Sequence, residues 1–293
     1  MGEKPAPTAR PVLVTRLAAG AASMTGDNAP AEDWVAHEEP LEIRVAGAPL
    51  AVLLRTPGAD RELLAGFLAA EGILRGPEDL LGIEACHDPQ TQAPEPNIWN
   101  VALAEGVPFA PENRRLMPVG STCGLCGART IEELKRELPS AMDFGAMELA
   151  ADYFARADTA LREAQATHRK TAGSHGAGVF SLAGEPLGFA EDVGRHNAVD
   201  KVLGACLLAG EYPLEQPRVL QVTGRISFEI VQKAALGGVA VLVGAGAPTS
   251  LAVEAAERTG VALFGLARPD RANCYAGRVA WSDAGPRERG SES

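Results

Sequence analysis

The chain has 293 residues, of which 46% are hydrophobic and 22% charged, and a formal net charge of -11. That length buries a substantial core, as one large domain or two smaller ones, and the acidic balance argues against generic binding to nucleic acid or an anionic membrane, whose phosphates would be repelled wherever no local basic patch intervenes. Five cysteines, with no signal-peptide pattern and no apolar run of transmembrane length, fit a soluble protein of the reducing cytoplasm better than a disulfide framework.

Residues 1–33 are rich in Ala, Pro and Gly, carry no sustained period and read as a mobile extension. Order is expected from about Trp34. Residues 41–45 alternate like a strand and residues 49–54 supply a second after a Gly-containing turn, which together predict a hairpin. Residues 61–70 place Leu63, Leu64, Phe67 and Leu68 at helical spacing, with Gly72 as the stop. Residues 98–103 form a further strand. The Pro-rich polar stretch 88–96 reads as a surface loop, and the neighbouring Cys86-His87 lacks the partners a metal site requires.

The next stretch, Ser121-Thr122-Cys123-Gly124-Leu125-Cys126-Gly127, holds the one close cysteine pair. Gly124 and Gly127 let the backbone turn tightly around both sulfurs. Thr130-Ile131-Glu132-Glu133 fits a capping box opening a helix over 131–138, so the pair precedes a helix N-terminus, where the macrodipole favours a thiolate, most of all at Cys126. A structural zinc site needs four ligands, and Cys86, Cys206, Cys274 and the five histidines are scattered, so no metal site is expected. A thioredoxin-like redox pair ordinarily follows a strand, and Met117-Pro118-Val119-Gly120 is a poor one. A sulfur carrier, with one cysteine holding a persulfide and its neighbour assisting, is the third reading. The pair alone does not choose between the last two.

Residues 147–166 read as one long amphipathic helix, leading into the Gly-rich turn 171–178 before a strand over 179–182. His175 on that turn either works on a substrate or bonds local backbone. Glu191-Asp192-Val193-Gly194-Arg195-His196-Asn197 forms a dense polar loop before a helix over 198–209, with Asn197 as N-cap. Arg195, His196, Lys201 and Arg225 are placed to hold phosphates together, unless Asp192 and Arg195 pair to fix the loop. Beyond it, apolar runs at 219–222, 239–243 and 261–266 alternate with helices over 227–236 and 251–258 that end at Gly237 and Gly260. This is strand-helix-strand-helix-strand, an α/β half with parallel strands whose ligands gather outside their carboxyl ends, at Thr223-Gly224-Arg225, Gly244-Ala245-Gly246 and residues 267–271. Thr249 stands where a dinucleotide fingerprint needs its third glycine, which argues against a nicotinamide enzyme.

The motifs STCGLCG, EDVGRHNAVDKVLG, TGRISFEIVQKAA and LARPDRANCY, in this order between about Glu38 and Tyr275, closely resemble the formate dehydrogenase accessory sulfurtransferase family, FdhD. The resemblance implies a cytidine-deaminase-like layered α/β fold without the deaminase zinc signature. In these terms residues 1–33 are the extension, 34–145 a smaller N-terminal subdomain with the CxxC loop, 146–282 the cofactor-binding subdomain with its parallel strands, and 283–293 a tail. It further implies a cytoplasmic, homodimeric sulfur carrier that takes sulfur from a cysteine desulfurase and delivers it to the molybdenum cofactor, bis-molybdopterin guanine dinucleotide, before insertion into formate dehydrogenase. Cys123 matches the family's persulfide-bearing cysteine and Cys126 its partner. Leu266, Ala267, Arg268, Pro269, Asp270 and Arg271 match the cofactor-contacting segment, to which the residue-level reading adds Thr223, Arg225, Arg195 and His196. The sequence departs from the family pattern around Ala172 and Ser174, just before His175.

Overall fold

The computed structural model describes residues 7–14, 30–109, 117–119 and 138–282. Cys123 and Cys126, nearly all of the helix expected over 131–138, and the tail 283–293 lie outside the described residues.

The expected hairpin is present as β3 (Glu39–Val45) and β4 (Ala48–Arg55), joined at Ala46 and Gly47, which take φ of 50° and 81°. Those positive φ values are what a tight hairpin turn requires, and Gly47 supplies one of them without strain. Helix α1 (Asp60–Ala70) follows and turns back at Gly72, φ 67°. Strands β5 (Leu80–His87) and β6 (Pro94–Leu103) add to β3, and the short β7 (Met117–Val119) adds to β4, giving a five-stranded sheet of order β5-β6-β3-β4-β7. Two expectations are corrected here. Residues 94–96 belong to β6 and not to a loop, and a strand does precede the cysteine pair, because β4 offers Met117–Val119 a parallel edge despite Pro118. Ordered structure also starts earlier than Trp34: β1 (Ala9–Val14) pairs antiparallel with β2 (Ala31–Ala36), so part of the presumed extension is a strand. Lys170 Nζ lies 3.0 Å over the Trp34 ring, a cation-π contact that ties the ribbon to the body.

The helix read over 147–166 is broken. Residues Glu148–Ala150 form β8, paired with β15 (Ala280–Ser282), and the helix proper is α2 (Tyr153–Ala164), followed after Gln165 by a separate turn of helix, α3 (Ala166–Thr171). The amphipathic period was real, but Gln165 at ψ 72° leaves the helical region and ends α2.

The second half runs β9 (His175–Phe180), β10 (Pro186–Asp192), α4 (Arg195–Leu208), β11 (Val219–Val222), α5 (Phe228–Leu236), β12 (Val241–Gly244), α6 (Ser250–Thr259), β13 (Ala262–Arg268) and β14 (Arg271–Ala276). The alternation from β11 to β13 is as expected, whereas β10 and β14 are additional and β9 takes in residues 175–178, read as a turn, because they pair with β10 and β11. The sheet order is β10-β9-β11-β12-β13-β14, with β11, β12 and β13 parallel and the other pairs antiparallel. Period-2 alternation sends successive residues to opposite faces. Val179, Leu220, Leu242 and Leu263 join the core that holds α4, α5 and α6, whereas Phe180, Val219, Val241, Val243 and Phe264 join Tyr153, Phe154 and Leu161 of α2. The result is a sheet between helical layers, as the α/β reading expected.

The first of these cores continues without a break into the N-terminal half, through Leu63, Leu64, Phe67 and Leu68 of α1 to Leu41, Ile43, Leu53 and Val101 of the other sheet. What permits this is the crossing of α1 and α4. A Cβ on Gly66 would collide with the Asp200 carbonyl oxygen, and one on Gly204 with that of Glu62. Two helices approach so closely only where side chains are absent. Gly66→Ala is therefore expected to cost about 3 kcal/mol or more, the upper end for overpacking. Gly82→Ala on β5, where an added carbon meets nothing within 4 Å, should change stability by under about 1 kcal/mol. Urea unfolding of the two variants compares them directly, and equal midpoints would refute the steric account.

Candidate functional site

Because β11, β12 and β13 run parallel, their carboxyl ends share one edge, and antiparallel β9 and β10 bring His175 and Asp192, opposite one another in register, to the same edge. The loops there are stitched to each other. Gly246 N-H donates to Gly224 O (3.2 Å) and Leu266 N-H to Gly246 O (3.1 Å). Thr223 N-H donates to Gly176 O (3.0 Å), and Gly176 N-H returns a bond to Thr223 Oγ1 (2.9 Å). At the far side, Pro269 and Asp270 form the two-residue turn between the paired Arg268 and Arg271.

The cations of this edge divide into spent and free. Arg268 Nη1 donates to the carbonyls of Ala245 (2.9 Å) and Ala267 (2.6 Å), so it braces the loops. Arg271 is exposed and, among the described residues, pairs only with its neighbour Asp270, at 3.1 Å. Arg225 is exposed, and its side chain has no partner among the described residues.

The polar loop before α4 is organised differently from either alternative read in the sequence. Asp192, fully buried, receives Thr56 N-H (3.0 Å), Gly194 N-H (2.8 Å), Asn197 Nδ2 (2.9 Å) and the Lys201 ammonium (2.8 Å). Its ion-pair partner is thus Lys201 and not Arg195. Lys201, also buried and donating to Thr56 O (2.8 Å), is withdrawn from any phosphate role. Gly194, not Asn197, is the N-cap of α4, and the Asn197 amide instead bridges Asp192 to Leu54 O (2.8 Å). The adjacent Glu191 caps the start of α3, accepting from Thr167 N-H (2.8 Å) and His168 N-H (2.9 Å). Both carboxylates of the motif therefore hold backbone in place.

His196 is buried, with Nε2 2.8 Å from Glu229 Oε2 and 3.2 Å from Ser227 Oγ. It was expected among the phosphate ligands, and it spends this nitrogen joining the first turns of α4 and α5. Burial pushes the Glu229 carboxyl up, but the His196 and Ser227 hydrogen bonds and the His196 charge outweigh it and hold the group below its usual range. His175 is half-buried and has no hydrogen-bond partner on its ring among the described residues. Burial, then the charges of Arg195, His168 and His196, lower its pKa, against a smaller opposing pull from Asp192. Sequence reasoning left His175 undecided, since its setting depends on a strand pairing that the short run HGAGVF does not announce.

Cys86, Cys206 and Cys274 are unpaired, and burial pushes the Cys206 thiol up to about 11, which makes it a poor nucleophile. Among the described residues no three His, Cys, Asp or Glu side chains gather to hold a metal, and no helix is long and apolar enough to cross a membrane.

Fold and site together define a layered α/β protein with a cation-bearing edge at the carboxyl ends of its parallel strands. This architecture is similar to the crystal structure of a putative formate dehydrogenase accessory protein from Desulfotalea psychrophila, with a TM-score of 0.72, 24% identity, and coverage of 92% of this chain and 97% of that one. At that identity the likeness speaks for the fold. The FdhD/NarQ family matches residues 36–280, and the chain belongs to that family. Proteins named sulfur carrier protein FdhD are similar over most of their length: that of Anaeromyxobacter sp. (strain K) is 43% identical over 87% of this chain and 90% of its own, and that of Nocardia farcinica 40% identical over 84% and 87%. The protein of that name from Mycobacterium tuberculosis is 41% identical over 83% and 90%.

The His196-Glu229 contact sets a pH dependence. With its carboxyl depressed in the folded state, Glu229 contributes stability that is complete above the unfolded value and lost as pH falls through the folded one. Acid unfolding of Glu229→Gln, followed by circular dichroism below about pH 4.3, should accordingly be shallower than that of the parent. Superimposable acid limbs would remove Glu229 from the account.

Proposed function

We propose that this chain is a cytoplasmic sulfur carrier protein, a sulfurtransferase acting as a homodimer in the service of formate dehydrogenase. Membership of the FdhD/NarQ family carries the reading, supported by relatives that bear the name sulfur carrier protein. Cys123 and Cys126, inside the matched region, are the residues such chemistry uses.

In this reading the Cys123 thiolate attacks the outer sulfur of a persulfide on a cysteine desulfurase. The donor's S-S bond breaks, the donor cysteine leaves as thiolate, and Cys123 carries the persulfide with no net oxidation or reduction. The molybdenum cofactor, bis-molybdopterin guanine dinucleotide, is the substrate that receives the sulfur, held by its nucleotide on the carboxyl edge from Leu266 through Ala267, Arg268, Pro269, Asp270 and Arg271, with Thr223, Arg225 and Arg195 across from it. For delivery, the Cys126 thiolate attacks the Cys123 sulfur. A Cys123-Cys126 disulfide forms, the terminal sulfur leaves as hydrosulfide toward the metal, and a cellular dithiol restores the pair.

Mass spectrometry after incubation with a cysteine desulfurase and cysteine should find a gain of one sulfur atom, absent in Cys123→Ala, which should also fail to restore formate dehydrogenase in a strain lacking its accessory protein. A bare loss of two hydrogens would make the pair a thiol-disulfide oxidoreductase, and no change would leave a cofactor chaperone. If Cys126 takes part as attacking thiolate, Cys126→Ala should load sulfur normally and release none.

The edge is tested apart from the cysteines. Arg225 has no competing partner among the described residues, so Arg225→Ala should weaken GDP binding roughly ten-fold, the equivalent of one charge-assisted contact, while Arg271→Ala, exposed and paired with Asp270, should lose less. Calorimetry reads both, and sulfur loading on Cys123 should not change in either. Unaltered affinity in the two variants would remove the guanine nucleotide from this edge.

A further inference from the structure

At Gly224 the edge holds three donors that have no partner among the described residues. Arg195 Nε is buried without a hydrogen-bond acceptor. The His175 ring donates to and accepts from no described group, and neither does the N-H of buried Gly224. Their proximity is fixed by the missing side chain: a Cβ built on Gly224 would lie 3.4 Å from Cβ and Cδ of Arg195 and 3.5 Å from Nδ1 of His175. The glycine thus leaves a cradle about one side-chain atom deep between a guanidinium arm and an imidazole. Its φ lies outside the left-handed region, so backbone geometry does not demand glycine here.

Buried donors in folded proteins are almost always satisfied, and a group of them left open by the described residues at a loop edge is suited to receive an incoming acceptor. The surroundings specify which kind. Arg195 opens the 14-residue helix α4, whose N-terminus favours negative charge. The titratable groups facing His175 are Arg195 and His196 from α4, His168 from α3 and Asp192 from β10. The one carboxylate among them is already neutralised by Lys201 and by backbone and amide donors. A compact oxyanion fits this field, and a further cation does not.

We propose that Gly224, Arg195 and His175 form a pocket for a single phosphoryl group, with Gly224 as its floor and the two side chains as its walls. This rests on reading the carboxyl edge as the nucleotide-holding site and adds to it the place where one phosphate of the diphosphate is seated. It also gives His175 a role that its lowered pKa makes measurable. An anion beside the ring favours the imidazolium, so binding should raise the His175 pKa, and by linkage phosphate affinity should strengthen as pH falls through the His175 value of the free protein.

The experiment uses the full chain and three probes, GDP, inorganic pyrophosphate and guanosine, by calorimetry, with the histidine ring resonances followed by NMR. Gly224→Ala adds one carbon at ordinary contact distance, so its melting temperature should match the parent's, while GDP and pyrophosphate binding fall about ten-fold. His175→Gln should bind pyrophosphate more weakly and lose the pH dependence, and guanosine binding should be the same in all three proteins. In the parent, pyrophosphate should shift the His175 ring titration upward. If GDP binds parent, Gly224→Ala and His175→Gln alike, the pocket is overturned while the nucleotide edge stands. If pyrophosphate binds and Gly224→Ala abolishes it but GDP gains nothing over pyrophosphate, the pocket stands and the guanine reading falls. If no phosphate-bearing probe binds the parent, both are overturned.

Discussion

Two glycines that face each other across α1 and α4 let one of the two cores run through both halves of the chain. The close approach at Gly66 and Gly204 replaces side-chain contact by backbone contact, and it lets the five-stranded sheet and the six-stranded sheet share a continuous apolar interior. The two halves are then held at a fixed distance by backbone atoms that no rotamer can relax. This is a stricter constraint than ordinary side-chain packing, where a neighbour can repack around a change.

The same juxtaposition places the end of β4 against the loop before α4, where the buried charges act. The buried Asp192 carboxylate is met by Lys201, Asn197 and two backbone N-H groups, one of them from Thr56 on the far side of the junction, which satisfy it together. Arg55, also fully buried, is met by Asp60 (2.8 Å), Asn97 (2.9 Å) and Glu39 (3.6 Å), which fastens the hairpin to the start of α1. A buried ion pair contributes little net stability against an apolar replacement, but losing one partner leaves a charge that the interior cannot solvate. Charges of this kind fix which arrangement is adopted more than how stable it is. Here they fix the position of Arg195 and His196 relative to the sheet edge.

How far the sequence announced this differs by element. The parallel strands and the helices α5 and α6 were legible almost to their bounds, because short apolar runs bounded by Gly237 and Gly260 leave little choice of period. Strands β5, β7, β8, β10, β14 and β15 were not foreseen. Several are only three residues long or end in polar residues, and each exists because an edge was available to pair with, which is tertiary information. The loops expected at the carboxyl ends of the parallel strands do lie on one edge. Residue types did not say that Lys201 and His196 turn inward while the His175 ring and Arg195 Nε find no partner among the described residues. Charged residues close in sequence look equally available, and only the fold assigns partners.

The edge also carries backbone strain. Leu266 sits at φ 53°, a conformation costly for a residue with a branched side chain, and 41% of it is exposed in the middle of β13. Its N-H is held by Gly246 O, and the pairing of β13 with β14 slips between Gly265 and Arg268, so the strain is imposed by the neighbouring loop and by the two-residue turn beyond. A loop free to relax would release it. With Gly224, Gly246 and Leu266 bonded in series and Arg268 bracing Ala245, the hydrogen bonds of the edge itself hold its loops to one another. A surface ordered in advance loses little conformational freedom on binding, so the few donors it leaves open retain more of their interaction energy for whatever anion they meet.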